Sequence, residues 1–204
     1  MNVCVFTRSK TITCNTLNTL LRISAEGLQH DKQVFIHYIT QRSEINKYLK
    51  DTNNALFVME YGTNLDFDHI NYLFKPLNKQ YPVVVFPTVN DTIDWDVFVK
   101  KTLSHSKEPV EQRGLSFDTI PGKKIDDVLN EVEKTEAKTW LVDTKQLKKT
   151  LGTCPQILST SKEFFDSLMS RGCKIAAFMD SNSVMNYVYE CRANIKESAY
   201  ITVT

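Results

Sequence analysis

Short unbroken apolar runs, each closed by a polar turn and followed by a helix-period segment, constrain this chain most. In the clearest case Ala55 to Met59 (ALFVM) runs straight into Glu60. Gly62 follows, and Leu65-Asp66-Phe67-Asp68 precedes an apolar-periodic segment from Ile70 to Leu77. A run of that length with a turn behind it is a buried strand. Asn2 to Thr7 (NVCVFT), Gln33 to Ile39 and Pro82 to Phe86 read the same way. Helices separate them. Thr11 or Thr13 caps one running to about Gln29, with Leu17, Leu20, Leu21, Ile23 and Leu28 on one side. Ser43 caps a short one through Leu49, and Asp66 or Asp68 caps or opens a third, where orphan N–H groups and the helix dipole favour a carboxylate. The order β-α-β-α-β-α-β with short connections specifies a mostly parallel sheet flanked by helices. Ligands bind such sheets outside the carboxyl ends of the strands. Glu60 is therefore the acid around which a site is expected. The plainer reading is an acid in a solvated strand-to-helix turn.

The second half is less regular. Thr88 to Asp96 is a polar loop ending in Asp94-Trp95-Asp96, and Val97 to Leu103 reads as a short helix. Ser104 to Lys124 holds two prolines, two glycines and no clear period, which marks a functional or mobile stretch. Asp126 to Lys138 reads as a charged surface helix with Ile125, Val128, Leu129 and Val132 on its apolar side. Trp140 to Val142 is a strand, Thr144 to Leu151 a helix closed by Gly152, Ser159 to Arg171 a helix stopped by Gly172, and Lys174 to Phe178 a strand. Val184 to Tyr189 is apolar and aromatic, and Ala199 to Val203 reads as a last strand. No repeat or linker divides residues 1–204, so one domain is expected.

Composition excludes more than it assigns. A formal net charge of +1 gives no field for nucleic acid or a membrane surface, and no apolar run has the length of a membrane span. The first residues, MNVCVFTRSK, lack a signal-peptide core, so a cytoplasmic protein is expected. Five scattered cysteines without CxxC read as small core residues in a reducing compartment. His30, His37, His69 and His105 are too scattered to suggest a metal cluster. Neither GxGxxG nor GxxxxGK[ST] occurs, so any phosphate must be held by basic side chains or a metal.

Taken together, the layout resembles a GT-A (Rossmann-like) glycosyltransferase over nearly its full length. Phe6-Thr7-Arg8-Ser9 matches the strand end that meets the nucleotide, and Thr40-Gln41-Arg42-Ser43 the turn that contacts the base. Glu60-Tyr61-Gly62 followed by Leu65-Asp66-Phe67-Asp68 follows the layout of the DxD motif. Asn186 stands where a metal-binding histidine commonly lies. The phrasing around IDWD, EQRGLSFDT and YECRANI is also similar to glycosyltransferases of large DNA viruses of algae, the chlorella virus type, which implies the host cytoplasm. Three positions depart from the family: the DxD reads Glu-Tyr-Gly, the acidic pair that supplies a base reads Thr160-Ser161, and the histidine is Asn186.

The resemblance implies a donor such as a UDP-sugar, a glycan or protein-linked acceptor, and Mn²⁺ or Mg²⁺ at the diphosphate. Oxygen ligands suit those ions. Glu60 is the first candidate as metal or ribose ligand. Asp66 and Asp68 form a literal DxD but are better placed as helix-start acids. Nucleotide contacts are expected from Phe6, Thr7, Arg8, Gln41, Arg42, Glu60, Tyr61 and Gly62, and Arg8 or Arg42 could equally be a solvated surface charge. Asp94 and Trp95 are expected on the acceptor side, where Trp95 is either a sugar platform or a structural residue. A base that deprotonates the acceptor hydroxyl is sought in Glu163, Asp118 or Asp143. The alternative is a degenerate domain that binds nucleotide or glycan, or serves as an interaction module.

Overall fold

The computed structural model describes residues 1–179 apart from 91, 92, 154, 158 and 159, and apart from the side chain of 111. Asn186 and the segments expected at Val184–Tyr189 and Ala199–Val203 lie outside the described residues. In chain order come β1 (Asn2–Phe6), α1 (Cys14–Gln29), β2 (Phe35–Ile39), a 3-10 turn (Arg42–Glu44), α2 (Ile45–Leu49), β3 (Leu56–Met59), α3 (Phe67–Leu73), β4 (Val83–Val85) and α4 (Trp95–Leu103). A 3-10 turn (Val110–Gln112), β5 (Thr119–Lys124), β6 (Leu129–Thr135), β7 (Trp140–Val142), α5 (Thr144–Leu151), α6 (Ser161–Ser170) and β8 (Ile175–Phe178) follow.

One eight-stranded sheet runs β2-β1-β3-β7-β4-β8-β6-β5. β1 pairs in parallel with β2 and β3, and β4 with β8. β7 lies antiparallel between β3 and β4, and β6 antiparallel between β8 and β5, so these two strands run against the rest. The result is a mixed, mostly parallel Rossmann-like α/β sheet with two cores. On one face Cys4, Phe6, Val58 and Trp140 pack with Ile45 and Leu49 of α2, Leu147 of α5, and Phe164, Phe165 and Leu168 of α6. On the other, Val3, Val5, Phe57 and Leu141 pack with Leu20 and Ile23 of α1 and Ile70 and Leu73 of α3. Alternate residues of β1 serve opposite cores, as the two-residue strand period requires, and all five are buried.

Three expectations are corrected. Residues 126–138 do not form a helix; they supply β6, which hairpins with β5 and buries only Leu129 and Thr135 fully. Its charged side chains are half-buried or exposed, so no apolar period announces the strand. Within α1, Leu20 and Ile23 are buried, but Leu17, Leu21 and Leu28 are exposed. Their place on the inner face is taken by Thr16 and Thr19, which bond the loop at Gly62 and Leu65, and by Gly27, which leaves room for Val34. Cys4 and Cys173 are core residues, with the Cys4 thiol pushed up to about 12 by burial, whereas Cys14 is exposed.

Candidate functional site

The parallel register places the carboxyl ends of β1, β2 and β3 side by side, with Phe6 opposite Ile39 and Val5 opposite Met59. The residues that follow, Thr7-Arg8, Thr40 to Arg42 and Glu60 to Gly62, therefore share one rim. Each is held by a separate local device. Thr7 donates from its backbone N–H and its hydroxyl to the Ile39 carbonyl, at 3.0 and 3.2 Å. Arg8 and Thr11 close a tight hairpin through paired backbone bonds of 3.2 and 2.9 Å. That turn places Ser9 and Lys10 in the left-handed region, at φ 49° and 60°, where neither has glycine's freedom.

The β2 turn is pinned by Glu44. Its carboxylate accepts the N–H groups of Thr40 and Gln41 at 2.9 and 2.8 Å, which holds the carboxyl below its ordinary range. The β3 turn is pinned by α1. Thr16 Oγ1 accepts from the Gly62 N–H, Thr19 Oγ1 accepts from the Leu65 N–H, and Arg22 donates to the Leu65 carbonyl. Gly62 supplies the left-handed residue that the turn needs, at φ 83°.

On this frame Arg42 is the hub. It donates to Glu60 Oε2 at 3.0 Å and to Ser161 Oγ at 2.8 Å, and its guanidinium stacks over the Phe6 ring, 4.8 Å from the centroid. A second stack lies beside it, with exposed Arg8 5.0 Å from the centroid of Tyr61. Besides Glu44 in its turn, the rim thus carries two arginine planes on aromatic faces and the carboxylate of Glu60, already salt-bridged to Arg42. Arg42 keeps part of its surface open, so it can meet an anion without leaving Phe6.

The other expected residues separate. Asp66 caps α3 by accepting the His69 N–H at 3.0 Å, and also meets His69 Nδ1. Asp68 sits exposed in the first turn of the same helix. Asp94 caps α4 by accepting from Val97, and exposed Trp95 lies edge-on to Phe98. Glu163 is exposed in the first turn of α6, whose cap is Thr160. Asp118 is buried and accepts from the Thr88 N–H, the Thr88 hydroxyl and the Thr119 hydroxyl. Burial pushes its carboxyl up, against the pull of those donors. Asp143, expected on the active edge, is on the opposite one. Because β7 is reversed, its carboxyl end lies beside Leu56, and Asp143 caps α5 next to Pro82. Among the described residues, no three His, Cys, Asp or Glu side chains are placed to hold a metal ion. One participant carries no local sequence signal: Ser161, because its partner Arg42 is remote in the chain.

No protein-family model matches this chain, and no curated protein matches it. Among solved structures it is similar to 4-diphosphocytidyl-2C-methyl-D-erythritol synthase of Anaerococcus prevotii. The likeness covers 98% of this chain and 95% of that one, at 12% identity and a TM-score of 0.41. Similarity at that level says nothing of activity.

Proposed function

We propose that this chain binds a nucleoside-diphosphate sugar, a uridine one, at the β1–β2–β3 rim and transfers the sugar to a glycan or protein-linked acceptor, as a GT-A glycosyltransferase. The observation that supports this reading is the position of Arg42, stacked on Phe6 and shared between Glu60 and Ser161 at the carboxyl rim. Arg42 and Arg8 supply the counter-charge for two phosphates, and the arginine fork matches phosphate oxygens in two bonds at once. Glu60 orients Arg42 in the free protein and accepts a ribose hydroxyl when Arg42 turns to phosphate. The likeness to algal-virus glycosyltransferases and a cytoplasmic location belong to the same reading. No described helix is long and apolar enough to cross a membrane.

Mn²⁺ or Mg²⁺ fits this donor set poorly. Among the described residues, Glu60 is paired with Arg42, and Glu44 is held by the N–H groups of Thr40 and Gln41. Asp66 is committed to its cap and to His69. The same observation favours a second reading, a domain that binds nucleotide without turning it over.

Thermal unfolding with uridine diphosphate, with and without Mn²⁺, tests the site. Saturation to a hundred times Kd stabilises a protein by about 2.7 kcal/mol. A rise in Tm that persists without Mn²⁺ and is lost in Arg42→Met is expected. The absence of any rise overturns the nucleotide site. Release of uridine diphosphate from donor sugars then decides between transferase and binding module.

A further inference from the structure

A cavity lies further along the sheet, past β4. Its volume is about 200 Å³, and Asn90, Phe117, Asp118, Ile120, Lys134 and Glu136 line it. The walls are fixed. Residues 88–90, leaving β4, pair with 116–118: Val89 bridges Phe117, Asp118 N–H donates to the Thr88 carbonyl at 2.9 Å, and Asn90 N–H donates to the Ser116 carbonyl at 2.8 Å. The Asn90 side chain is aimed by its own bond to Ser116 Oγ, at 3.0 Å. The Asp118 carboxylate is consumed by Thr88 and Thr119, so it acts as a fastener in the floor.

The lining is unusual for plain surface. Phe117 and Ile120 are 54% and 51% exposed, yet the segments that carry them are anchored in the sheet. An amide, a carboxylate and an ammonium group surround them. A flat apolar face ringed by polar hydrogen-bonding groups matches a pyranose, whose axial C–H bonds form one greasy face and whose hydroxyls point outward. Sites for drug-sized ligands measure roughly 300–1,000 Å³, so this space suits a single ring.

The cavity is also tied to the nucleotide rim. Glu136 pairs with Lys162 at 3.6 Å, and the preceding residue, Ser161, accepts the bond from Arg42. Consecutive residues at the start of α6 thus touch both places.

We propose that this cavity is a saccharide site, seating one pyranose with its C–H face on Phe117 and its hydroxyls on Asn90, Lys134 and Glu136. Its role as the acceptor site rests on the transferase reading; binding of the sugar does not. Saturation-transfer NMR on the full chain with a panel of methyl hexopyranosides tests it. At least one glycoside should receive saturation at its ring C–H protons. Phe117→Ala should weaken that binding at least tenfold and Glu136→Gln severalfold, and Phe117→Ala should leave Tm and the affinity for uridine diphosphate unchanged. No transfer to any glycoside from the native chain overturns the proposal, as does transfer that survives Phe117→Ala unchanged. Glycoside binding without nucleotide binding would sink the transferase reading and leave this site standing. Nucleotide binding without glycoside binding would do the reverse.

Discussion

A double-mutant cycle on Arg42 and Glu60 probes the rim most directly. Their charged atoms lie 3.0 Å apart, and the side chains are 26% and 19% exposed. Exposed ion pairs contribute about 0.2–1 kcal/mol. Removing one partner of a fully buried pair costs about 3–5 kcal/mol. At this intermediate exposure the coupling should be about 1–2 kcal/mol. Arg42→Met also loses the Ser161 bond and the Phe6 stack, so alone it should cost about 2–3 kcal/mol. Glu60→Gln keeps the shape and should cost about 1–2 kcal/mol. Urea unfolding of the native chain, both single variants and the double gives the coupling, provided the m-values agree. Raising the salt to about 1 M should lower the coupling only in part, because partly buried charges are weakly screened. Ligand affinity separates the roles further. If Glu60 restrains Arg42, Glu60→Gln frees the guanidinium and tightens uridine diphosphate binding, whereas Arg42→Met weakens it at least tenfold. A coupling below about 0.3 kcal/mol, the usual error of additivity, would refute the pair as an energetic unit.

Other outcomes follow from the frame around it. Thr19→Val leaves the Leu65 N–H without its partner in a buried setting, a loss of about 1–3 kcal/mol that should lower Tm by roughly 2–10 °C in thermal unfolding. Lys10→Gly relieves a left-handed residue and should raise stability by about 0.5 kcal/mol in urea unfolding, whereas Gly62→Ala should cost about 1 kcal/mol or more. Two carboxylates should respond oppositely to pH. Glu44 titrates below its ordinary 4.5, so its stabilisation is full above that value and lost as pH falls through the lowered one; the gap in Tm between the native chain and Glu44→Gln should close on acidification. Asp118 titrates above its ordinary 3.8, so its contribution is full below 3.8 and declines as pH rises through the raised value; carboxyl NMR titration should find it the later of the two.

Much of the architecture is legible from residue pattern because buried strands leave unbroken apolar runs. β1, β3 and β4 each show one, and Thr13, Asp66 and Thr160 cap their helices by the side-chain bonds that their types suggest. The rim follows from the same pattern, since parallel strands joined by helices must end on one side. β6 escapes because both of its faces keep charged or half-exposed groups, so Glu131, Glu133 and Lys134 look like a solvated helix. The direction of β7 escapes for a different reason. Trp140-Leu141-Val142 is equally apolar read either way, and only the path of the preceding hairpin reverses it. Asp143 moves to the far edge for that reason alone. The Arg42–Ser161 bond joins residues far apart in the chain, which no local spacing reports.

The reversed β7 also matters to a chain being synthesised. β3 and β4 do not pair with each other; each must wait for Trp140 to Val142 to fill the space between them. Until those residues clear the ribosome, the facing edges of β3 and β4 stay unpaired, and the far edge of β4 waits longer still, for β8. Release of a chain stopped before Trp140 should therefore yield sticky, self-associating material, and β7 acts as the wedge between β3 and β4.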